Sequence, residues 1–467
     1  MSLLLRDVEV DGANVDVRVV DGLVAEIGVE VSTDGHEVVD GLGGALIPGL
    51  HDHHLHLYST AAAARSTAVG PAEARDLTGL RDALLEADAV LPSGDWLRAV
   101  GYHESVAGDL DRAALDRLVP DRPLRVQHRS GARWMLNSAG IAALDLAGRD
   151  EISIERDATG RPTGRLHRAD AWLRQLLPAE PALDFASLGA SLANVGITGV
   201  TDTTPFEHLD ELTTLATAVR SGDLPQRVVV TGGPALADAA RPAGLEQGPV
   251  KLVIDDAAYP SLTELIAHIS HAHQHDRSVA IHCVTRTALV LALAAWDAAG
   301  SIEGDRVEHG AVVPPELVGG LQRHDLTVVT QPGFIGERGD EYLAEVDRDD
   351  LPHLYPCGSL IGAGVRVAGS TDAPFTSFDP WAAMRSAVHR RSPSGATVGG
   401  AEAIDPATAL RLFLGAPGDP GGPPRTVQVG APADLCLLDR PLAEVLTRLR
   451  SDDVAATICA GRLVTRA

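Results

Sequence analysis

Short runs in which apolar and polar residues alternate occupy the amino-terminal end of the chain. These runs are 3–5, 15–19 and 23–27, and the pairs Asp11-Gly12 and Asp21-Gly22 separate them. Alternation with such pairs between the runs predicts β-hairpins closed by tight turns. We therefore expect a small antiparallel β-element before the main domain.

The carboxyl-terminal end repeats this pattern at 430–439, 454–458 and 461–464. Neither end is long enough to form an independently stable sheet with a buried face. We therefore predict that residues 1–46 and 424–467 pack together as one small composite β-sandwich.

Between the two ends, strand-like apolar runs alternate with helix-like stretches such as 262–275 and 285–299. The eight strand candidates are 48–56, 196–202, 226–230, 250–254, 278–282, 306–309, 326–330 and 365–369. Alternation of this kind is typical of parallel α/β domains, and eight strands favour a (β/α)8 TIM barrel. We predict this barrel over residues 47–423, with its chemistry at the carboxyl ends of the strands.

About 130 residues separate the first and second barrel strands, which is too many for one strand–helix unit. This segment contains strand-like pieces of its own at 96–100, 124–128 and 133–138. We interpret residues of about 66–185 as an insertion that caps the barrel mouth and determines substrate specificity.

Composition excludes several classes of protein. A hydrophobic fraction of 45% indicates a globular chain, and a net charge of −25 disfavours nucleic acid and anionic membranes as partners. The longest apolar runs, such as 288–296, are too short to span a bilayer, and the first residues lack the features of a signal peptide. Four scattered cysteines fit a reducing compartment. We expect a cytoplasmic protein that acts on a small molecule, and a homo-oligomer is compatible with these features.

Polar residues stand where the predicted strands end. The first strand ends in His54-Leu55-His56, and two imidazoles two residues apart on one face of a strand can reach a single metal ion. His282 and His309 end the fifth and sixth strands, and Asp372 follows the eighth. Each is a weak signal, but together they predict a metal site at one mouth of the barrel.

Lys251, in the fourth strand, is the single lysine among 39 basic residues. Arginine can replace lysine at most solvated positions, so its retention here indicates a task that a guanidinium cannot perform. A buried lysine amine can lose its proton and act as a nucleophile, whereas arginine stays charged. A chance survival of this lysine is the alternative.

These motifs together resemble the amidohydrolase superfamily, and in particular its family-3 branch of metal-dependent hydrolases. The resemblance is carried by 48–57, 250–252, His282, 306–309, 331–332, 369–374 and 430–435, and extends to Asn137-Ser138 of the insertion. It implies a (β/α)8 barrel with a composite β-sandwich and a pair of divalent metal ions, zinc first, with manganese or iron as alternatives. It also implies that Lys251 carries a carbamate derived from CO2.

Carried over to this chain, the resemblance assigns His54, His56 and Asp372 to one ion and His282 and His309 to the other. Carboxylated Lys251 would bridge both. The expected reaction is hydrolysis of a C–N bond, most simply of an amide. Metal ions lower the pKa of a bound water, and Asp372 would move the proton to the leaving nitrogen.

The chain departs from the family pattern near the expected substrate. Ala132-Arg133 stand where a histidine is usual, and Thr285-Arg286 stand where Gly-Asp is usual. Candidate substrate-binding residues are His128, Arg129, Arg133 and Arg286. The alternative interpretation places these arginines on the solvated surface.

Two other classes of function stay open at this point. A mononuclear aminohydrolase (deaminase) would use the same histidines and aspartate but has no use for Lys251. A non-catalytic relative on the same fold is expected to have lost ligands, and here none of the predicted ligands is missing.

Overall fold

The computed structural model describes residues 2–33, 35–178 and 182–466. The outermost residues of the predicted terminal domain and residues 179–181 of the predicted insertion therefore lie outside the described part. The chain divides into two compact units. The first comprises the described residues up to Leu57 and from Phe185 onward, and the second runs from Tyr58 to Asp184.

The amino-terminal part of the first unit is made of strands alone. These are β1 (Ser2–Val10), β2 (Ala13–Val20), β3 (Leu23–Gly28), β4 (Glu37–Asp40), β5 (Leu46–Pro48) and β6 (Leu50–Leu55). Asp11 and Gly12 both have positive φ, 50° and 81°, and so do Asp21 and Gly22, at 49° and 79°. Two successive residues of positive φ define the type I′ turn that suits a two-residue hairpin, so both predicted hairpins are confirmed.

The second unit contains a six-stranded sheet in the order β11-β12-β10-β9-β8-β7. Its first helix begins at Leu57, one residue before the unit itself. The elements are α1 (Leu57–Ala63), β7 (Thr67–Ala68), α2 (Leu77–Val90), β8 (Leu97–Tyr102), α3 (Glu104–Ala107), α4 (Arg112–Leu118), β9 (Leu124–His128), β10 (Arg133–Leu136), α5 (Ser138–Ala143), β11 (Ile154–Arg156), β12 (Pro162–His167) and α6 (Asp170–Leu176).

The strand predicted at 133–138 ends at Leu136, two residues early. Asn137 instead caps α5, because its side-chain oxygen accepts from Gly140 N at 2.8 Å. The same oxygen accepts from Leu124 N, and its amide nitrogen donates to two backbone carbonyls. Asn137 is therefore a fully bonded structural residue of this unit.

From Phe185 onward the first unit alternates strands and helices. The elements are α7 (Phe185–Asn194), β13 (Ile197–Asp202), α8 (Leu209–Ser221), β14 (Arg227–Val230), β15 (Glu246–Gln247), β16 (Val250–Val253), α9 (Leu262–Gln274), β17 (Val279–Cys283), α10 (Arg286–Ala299), β18 (Arg306–His309), α11 (Pro315–Arg323), β19 (Thr327–Thr330), α12 (Gly333–Glu345), α13 (Gly358–Gly362), β20 (Arg366–Gly369), α14 (Pro380–His389) and α15 (Pro406–Arg411). The chain ends with β21 (Leu435–Leu438), α16 (Leu442–Leu446), β22 (Val454–Cys459) and β23 (Arg462–Arg466). Single 3-10 turns occur at Leu146–Gly148, Pro234–Leu236, Leu351–His353, Gly400–Glu402 and Ser451–Asp453.

All eight predicted barrel strands are present, together with the short strand β15, which was not predicted. They form two parallel sheets of order β15-β14-β13-β6 and β16-β17-β18-β19-β20. Backbone hydrogen bonds run from one sheet to the other at both edges. Lys251 N donates to Gly232 O at 2.9 Å, and Asp372 N donates to His54 O at 2.8 Å. The chain thus has the mainly α/β fold that the alternation predicts.

The first unit has two further sheets, β3-β2-β1-β4 and β23-β22-β21-β5. In the first, which comes from the amino-terminal end of the chain, β4 runs parallel to β1 and the other pairs are antiparallel. The second is antiparallel and joins three carboxyl-terminal strands to β5. Their buried side chains form one apolar cluster, in which Leu5 and Val17 lie with Leu435 and Ile458. Burial of this shared apolar surface is the force that brings the two termini together.

No helix among the described residues is long and apolar enough to cross a membrane.

Candidate metal centre

The centre is built from side chains at the carboxyl ends of parallel strands in the first unit. His54 belongs to β6 and His56 follows it, His282 belongs to β17 and His309 ends β18. Asp372 follows β20, and its backbone N–H is bonded to β6. Because neighbouring parallel strands end at the same edge, residues far apart in sequence meet here.

Three of the predicted ligands form the core of the group. His54, His309 and Asp372 are buried, and each offers a ligand atom within 4.8 Å of the others. His54 Nε2 lies 3.4 Å from Asp372 Oδ1, and His56 Nε2 lies 3.2 Å from the same oxygen. Two imidazoles therefore converge on one carboxylate oxygen.

His282 joins the group through His309. Its Nδ1 lies 2.8 Å from His309 Nε2. His309 Nδ1 faces the side-chain oxygen of Gln331 at 2.8 Å, and the Gln331 amide nitrogen is committed to Val329 O and Ser370 Oγ. The glutamine thus presents its oxygen, so His309 donates from Nδ1 and keeps Nε2 as the electron-pair donor that a metal requires.

Each of the other two imidazoles also has a partner on the side away from Asp372. His54 Nδ1 forms a short buried contact with Glu308 Oε2. His56 Nδ1 lies 3.0 Å from Thr204 Oγ1. These contacts leave the Nε2 atoms facing the carboxylate, which is the orientation of metal-binding histidines supported by a second residue.

Asp52 acts on the backbone rather than on the imidazoles. Its carboxylate accepts from His54 N and from Thr371 N, each at 3.1 Å, and so ties β6 to the turn that carries Asp372. Burial raises the pKa of Asp52 to about 6 against the opposing effect of these hydrogen bonds.

Lys251 lies in β16 with 3% of its surface exposed. Burial lowers the pKa of its amine, against the opposing charges of Glu308 and Asp372. Its Nζ makes no hydrogen bond to any of the described residues. A buried, uncommitted amine of lowered pKa is the state from which a carbamate can form.

The carboxylate of Asp372 stays ionised in this setting. Burial alone would raise its pKa, but the imidazoles of His54, His56 and His309 lower the pKa well below the usual range of an aspartate. The anion is therefore available as a ligand or as a proton acceptor at neutral pH.

Two of the predicted ligand residues have unusual backbone conformations. His309 has φ 70° and Asp372 has φ 62°, in the left-handed region that non-glycine residues rarely adopt. Such conformations cost about 1–3 kcal/mol each and persist where the surrounding structure holds them, often at functional sites. Here they let both side chains reach the cluster from the end of a strand.

The donor set fits a divalent metal ion. Among the described residues, His54 Nε2, Asp372 Oδ1 and Lys251 Nζ are buried atoms without a hydrogen-bond partner. Buried polar atoms normally have one, so each such atom calls for an explanation. Imidazole nitrogens with carboxylate oxygens are ligands that suit zinc, iron or manganese.

The predicted substrate residues lie outside this cluster. In the second unit, His128 Nε2 lies 3.0 Å from Glu104 Oε2, and Arg133 pairs with the other oxygen of Glu104. His103, Glu104 and His128 form a second, partly buried group of potential ligand atoms. Arg129 donates its backbone N–H to Tyr102 O at 2.8 Å.

Arg286, in the first unit, lies at the start of α10. It donates to Glu316 Oε1 at 2.8 Å and to Asp350 Oδ1 at 3.0 Å. Arg286 is thus paired with two carboxylates of the protein itself. The role of the four candidate substrate-binding residues stays a prediction.

The residues that sequence reasoning did not assign are the partners behind the histidines: Arg306, Glu308, Gln331 and Thr204. One signal was available for two of them. Arg306 and Glu308 are charged residues two apart in a strand that is otherwise buried. Charged side chains in a buried strand are rare unless they are paired, so these two indicate a buried ion pair or hydrogen bond.

Comparison with known proteins agrees with this geometry. Residues 37–465 match the model of the amidohydrolase family. The N-substituted formamide deformylase of Arthrobacter pascens is 27% identical over an alignment 545 positions long, gaps included, which covers 98% of each chain.

Two solved structures share the fold. An uncharacterized metal-dependent hydrolase from Pyrococcus horikoshii is 20% identical with a TM-score of 0.73, covering 94% of this chain and 98% of its own. N-isopropylammelide isopropylaminohydrolase from Burkholderia multivorans is 17% identical with a TM-score of 0.57, covering 100% of this chain and 98% of its own.

The family match spans most of the chain, including every predicted metal ligand. It confirms the expected assignment to the family-3 branch and, with it, the expectation that the chain is an amidohydrolase. The chain belongs to the amidohydrolase family.

Proposed function

We propose that this protein hydrolyses an amide-type C–N bond of a small molecule at a centre of two divalent metal ions. The observation that carries the proposal is the buried convergence of His54, His309 and Asp372. A family match alone would name a reaction class, whereas this cluster supplies residues able to perform it.

The proposed ligands divide between two ions. His54, His56 and Asp372 would hold one ion, and His282 and His309 would hold the other. Lys251, as a carbamate derived from CO2, would serve both. Support comes from the contacts between these side chains and from the buried amine of Lys251. Zinc is the first candidate, with manganese or iron as alternatives.

When bound, such ions supply a water of lowered pKa and polarise the carbonyl of the substrate. Asp372 is the residue we assign to proton transfer. The neighbouring imidazoles keep its carboxylate ionised, and Oδ1, which lies near both His54 Nε2 and His56 Nε2, is the oxygen that would accept a proton from water. The same oxygen would then return the proton to the leaving nitrogen.

The fold that we propose around this centre is a closed (β/α)8 barrel with a composite β-sandwich. The backbone bonds between the two parallel sheets support closure. The apolar cluster shared by the sheets β3-β2-β1-β4 and β23-β22-β21-β5 supports the sandwich. We also retain the proposal that the second unit determines specificity through His128, Arg129 and Arg133.

The substrate class follows from the relatives. The Arthrobacter protein is named for N-substituted formamides and the Burkholderia protein for the removal of an isopropylamino group. We propose a small amide, with N-substituted formamides first. A cytoplasmic location remains our proposal, and four buried free cysteines support it.

The test combines metal analysis with a substrate screen. Purified protein should contain up to two divalent ions per chain and should hydrolyse members of a panel of N-substituted formamides, N-acyl amino acids and cyclic amides. Chelation should abolish turnover, and the metal should restore it. One ion per chain with release of ammonia from an amino-substituted ring would favour the mononuclear deaminase instead. No turnover by the metal-loaded protein on either type of substrate would overturn both.

A further inference from the structure

A chain of three buried charged or polar groups leads away from the metal centre. Arg306 Nε donates to Glu308 Oε1 at 2.6 Å, and Glu308 Oε2 contacts His54 Nδ1. The side chains of Glu308 and His54 are fully buried, and that of Arg306 is 3% exposed. The carboxylate therefore uses one oxygen for the arginine and the other for the imidazole.

Stability alone does not explain this arrangement. Removing an arginine and a glutamate from water costs several kcal/mol per ion, and an apolar pair of similar volume often serves as well or better. The best-attested use of a buried ion pair is to specify one arrangement of its neighbours. The neighbour in question here is His54.

The geometry of β18 explains how two of its residues, Glu308 and His309, both lie beside the imidazole of His54. Arg306 and Glu308 are two apart in β18, so they share a face of the strand. The next residue, His309, should face the opposite way, but its φ of 70° breaks the alternation. Its ring consequently lies 4.7 Å, centroid to centroid, from that of His54.

The other oriented histidines have neutral partners. His56 is held by the Thr204 hydroxyl and His309 by the Gln331 amide oxygen. His54 Nδ1, on the side away from Asp372, instead contacts the carboxylate of Glu308. A carboxylate behind a metal-bound imidazole fixes its orientation and strengthens its electron-pair donation.

We propose that Glu308, itself held by Arg306, is the positioning residue that aims His54 Nε2 at the metal centre and so sets the affinity of that centre. Arg306 acts one step further out, by fixing the rotamer of the carboxylate. The inference rests on the proposed function only in that it requires metal binding at His54; it does not depend on which substrate is hydrolysed.

The experiment measures metal affinity rather than turnover. Glu308→Gln keeps the shape of the side chain and removes its charge. Its dissociation constant for zinc, from competition with a chromophoric chelator, should rise 10- to 100-fold over wild type. The visible spectrum of the cobalt-loaded variant should also change, because the field at the metal depends on His54.

Glu402→Gln is the matched control. Glu402 is also buried, at 5% exposure, and accepts from Ser359 N at 2.9 Å, with no contact to a predicted ligand. Its loss should leave zinc affinity within about twofold of wild type, since surroundings unconnected with a metal do not alter its binding. Equal loss of affinity in both variants would reduce Glu308 to a general packing role and overturn the inference.

A wild-type measurement covers the case in which Glu308→Gln does not fold. A crystal structure of the zinc-loaded protein should show His54 bound through Nε2 with Nδ1 on Glu308. Coordination through Nδ1, or a Glu308 turned away from His54, would overturn the inference while leaving the proposed hydrolysis intact. A wild type that binds no metal would overturn both proposals, and metal binding without turnover would remove only the proposed function.

Discussion

At the scale of single residues, the proposed binding of two metal ions depends on Lys251. It is the single lysine of the chain, it is buried in β16, and its amine has no hydrogen-bond partner among the described residues. An ammonium in such a place would be an unpaired buried charge, which proteins avoid by losing the proton. A neutral amine can add CO2, whereas a guanidinium cannot.

Lys251→Arg should therefore lower the tightly bound metal from about two ions per chain towards one or none, because arginine cannot become an anionic bridge. Atomic absorption on the dialysed protein measures this. Lys251→Ala should behave likewise and recover part of its activity when a short carboxylate is added. Full activity with two metal ions in the arginine variant would make Lys251 a chance survivor.

Asp372→Asn tests the proton-transfer role. The amide is nearly the same size, so the fold and at least one ion should persist, but it cannot accept a proton as the carboxylate does. Turnover should fall by several orders of magnitude with little change in the unfolding temperature. Asp405→Asn, which alters only the cap of α15 through Thr408 N, is the control and should keep wild-type turnover. Near-normal turnover in Asp372→Asn would contradict the mechanism.

At the scale of elements, close packing between strands positions the histidines. Gly199 lies in β13, and a Cβ there would come within 2.4 Å of His51 Nδ1 in the neighbouring β6. Real Cβ atoms do not approach so closely, so the absence of a side chain at Gly199 allows β6 and β13 to pair.

Gly199→Ala should therefore destabilise the protein by about 1–3 kcal/mol, the usual cost of overpacking a core. Denaturant unfolding followed by circular dichroism measures the change. Gly319→Ala in α11 is the control, because a Cβ there has nothing within 4 Å. It should be neutral or slightly stabilising, since alanine suits a helix better than glycine. Equal stability of the two variants would show that β6 and β13 adjust without cost.

At the scale of the whole molecule, three of the four candidate substrate-binding residues lie in a different unit from the predicted metal ligands, whereas Arg286 lies in the same unit as the ligands. The ligand cluster lies entirely in the first unit, whereas His128 and Arg133 lie in the second, where both contact Glu104. The departures from the family pattern at Ala132-Arg133 fall in that same second unit.

Arg133→Ala should accordingly change KM or kcat for the best substrate and leave the metal content unchanged. Steady-state kinetics together with metal analysis separates the two effects. Arg161→Ala, an exposed arginine of the same unit, is the control and should alter neither. Unchanged KM and kcat for every active substrate in Arg133→Ala would show that Arg133 serves only in the ion pairs of its own unit.

The sequence by itself determined the features that depend on local pattern. Alternation and turn chemistry located β1, β2 and β3, because an Asp-Gly pair of positive φ is a local preference. Apolar runs located the eight parallel strands, and strand-end position selected five of the six predicted ligands. Lys251 was selected because it is the single lysine of the chain. In a barrel of parallel strands the carboxyl ends of all the strands lie at the same face, so residues at these ends come together however long the chain between them is.

The tertiary structure alone decided which residues support those ligands. Glu308 is 254 positions from His54, and Thr204 is 148 positions from His56. No periodicity links residues so distant, since their contact depends on strand order, register and the positive φ of His309. Asn137 shows the same limit, because it ends β10 early by satisfying three backbone groups of the stretch 119–124. Local pattern determines where a side chain stands on its element, but only the packed fold determines what it meets there.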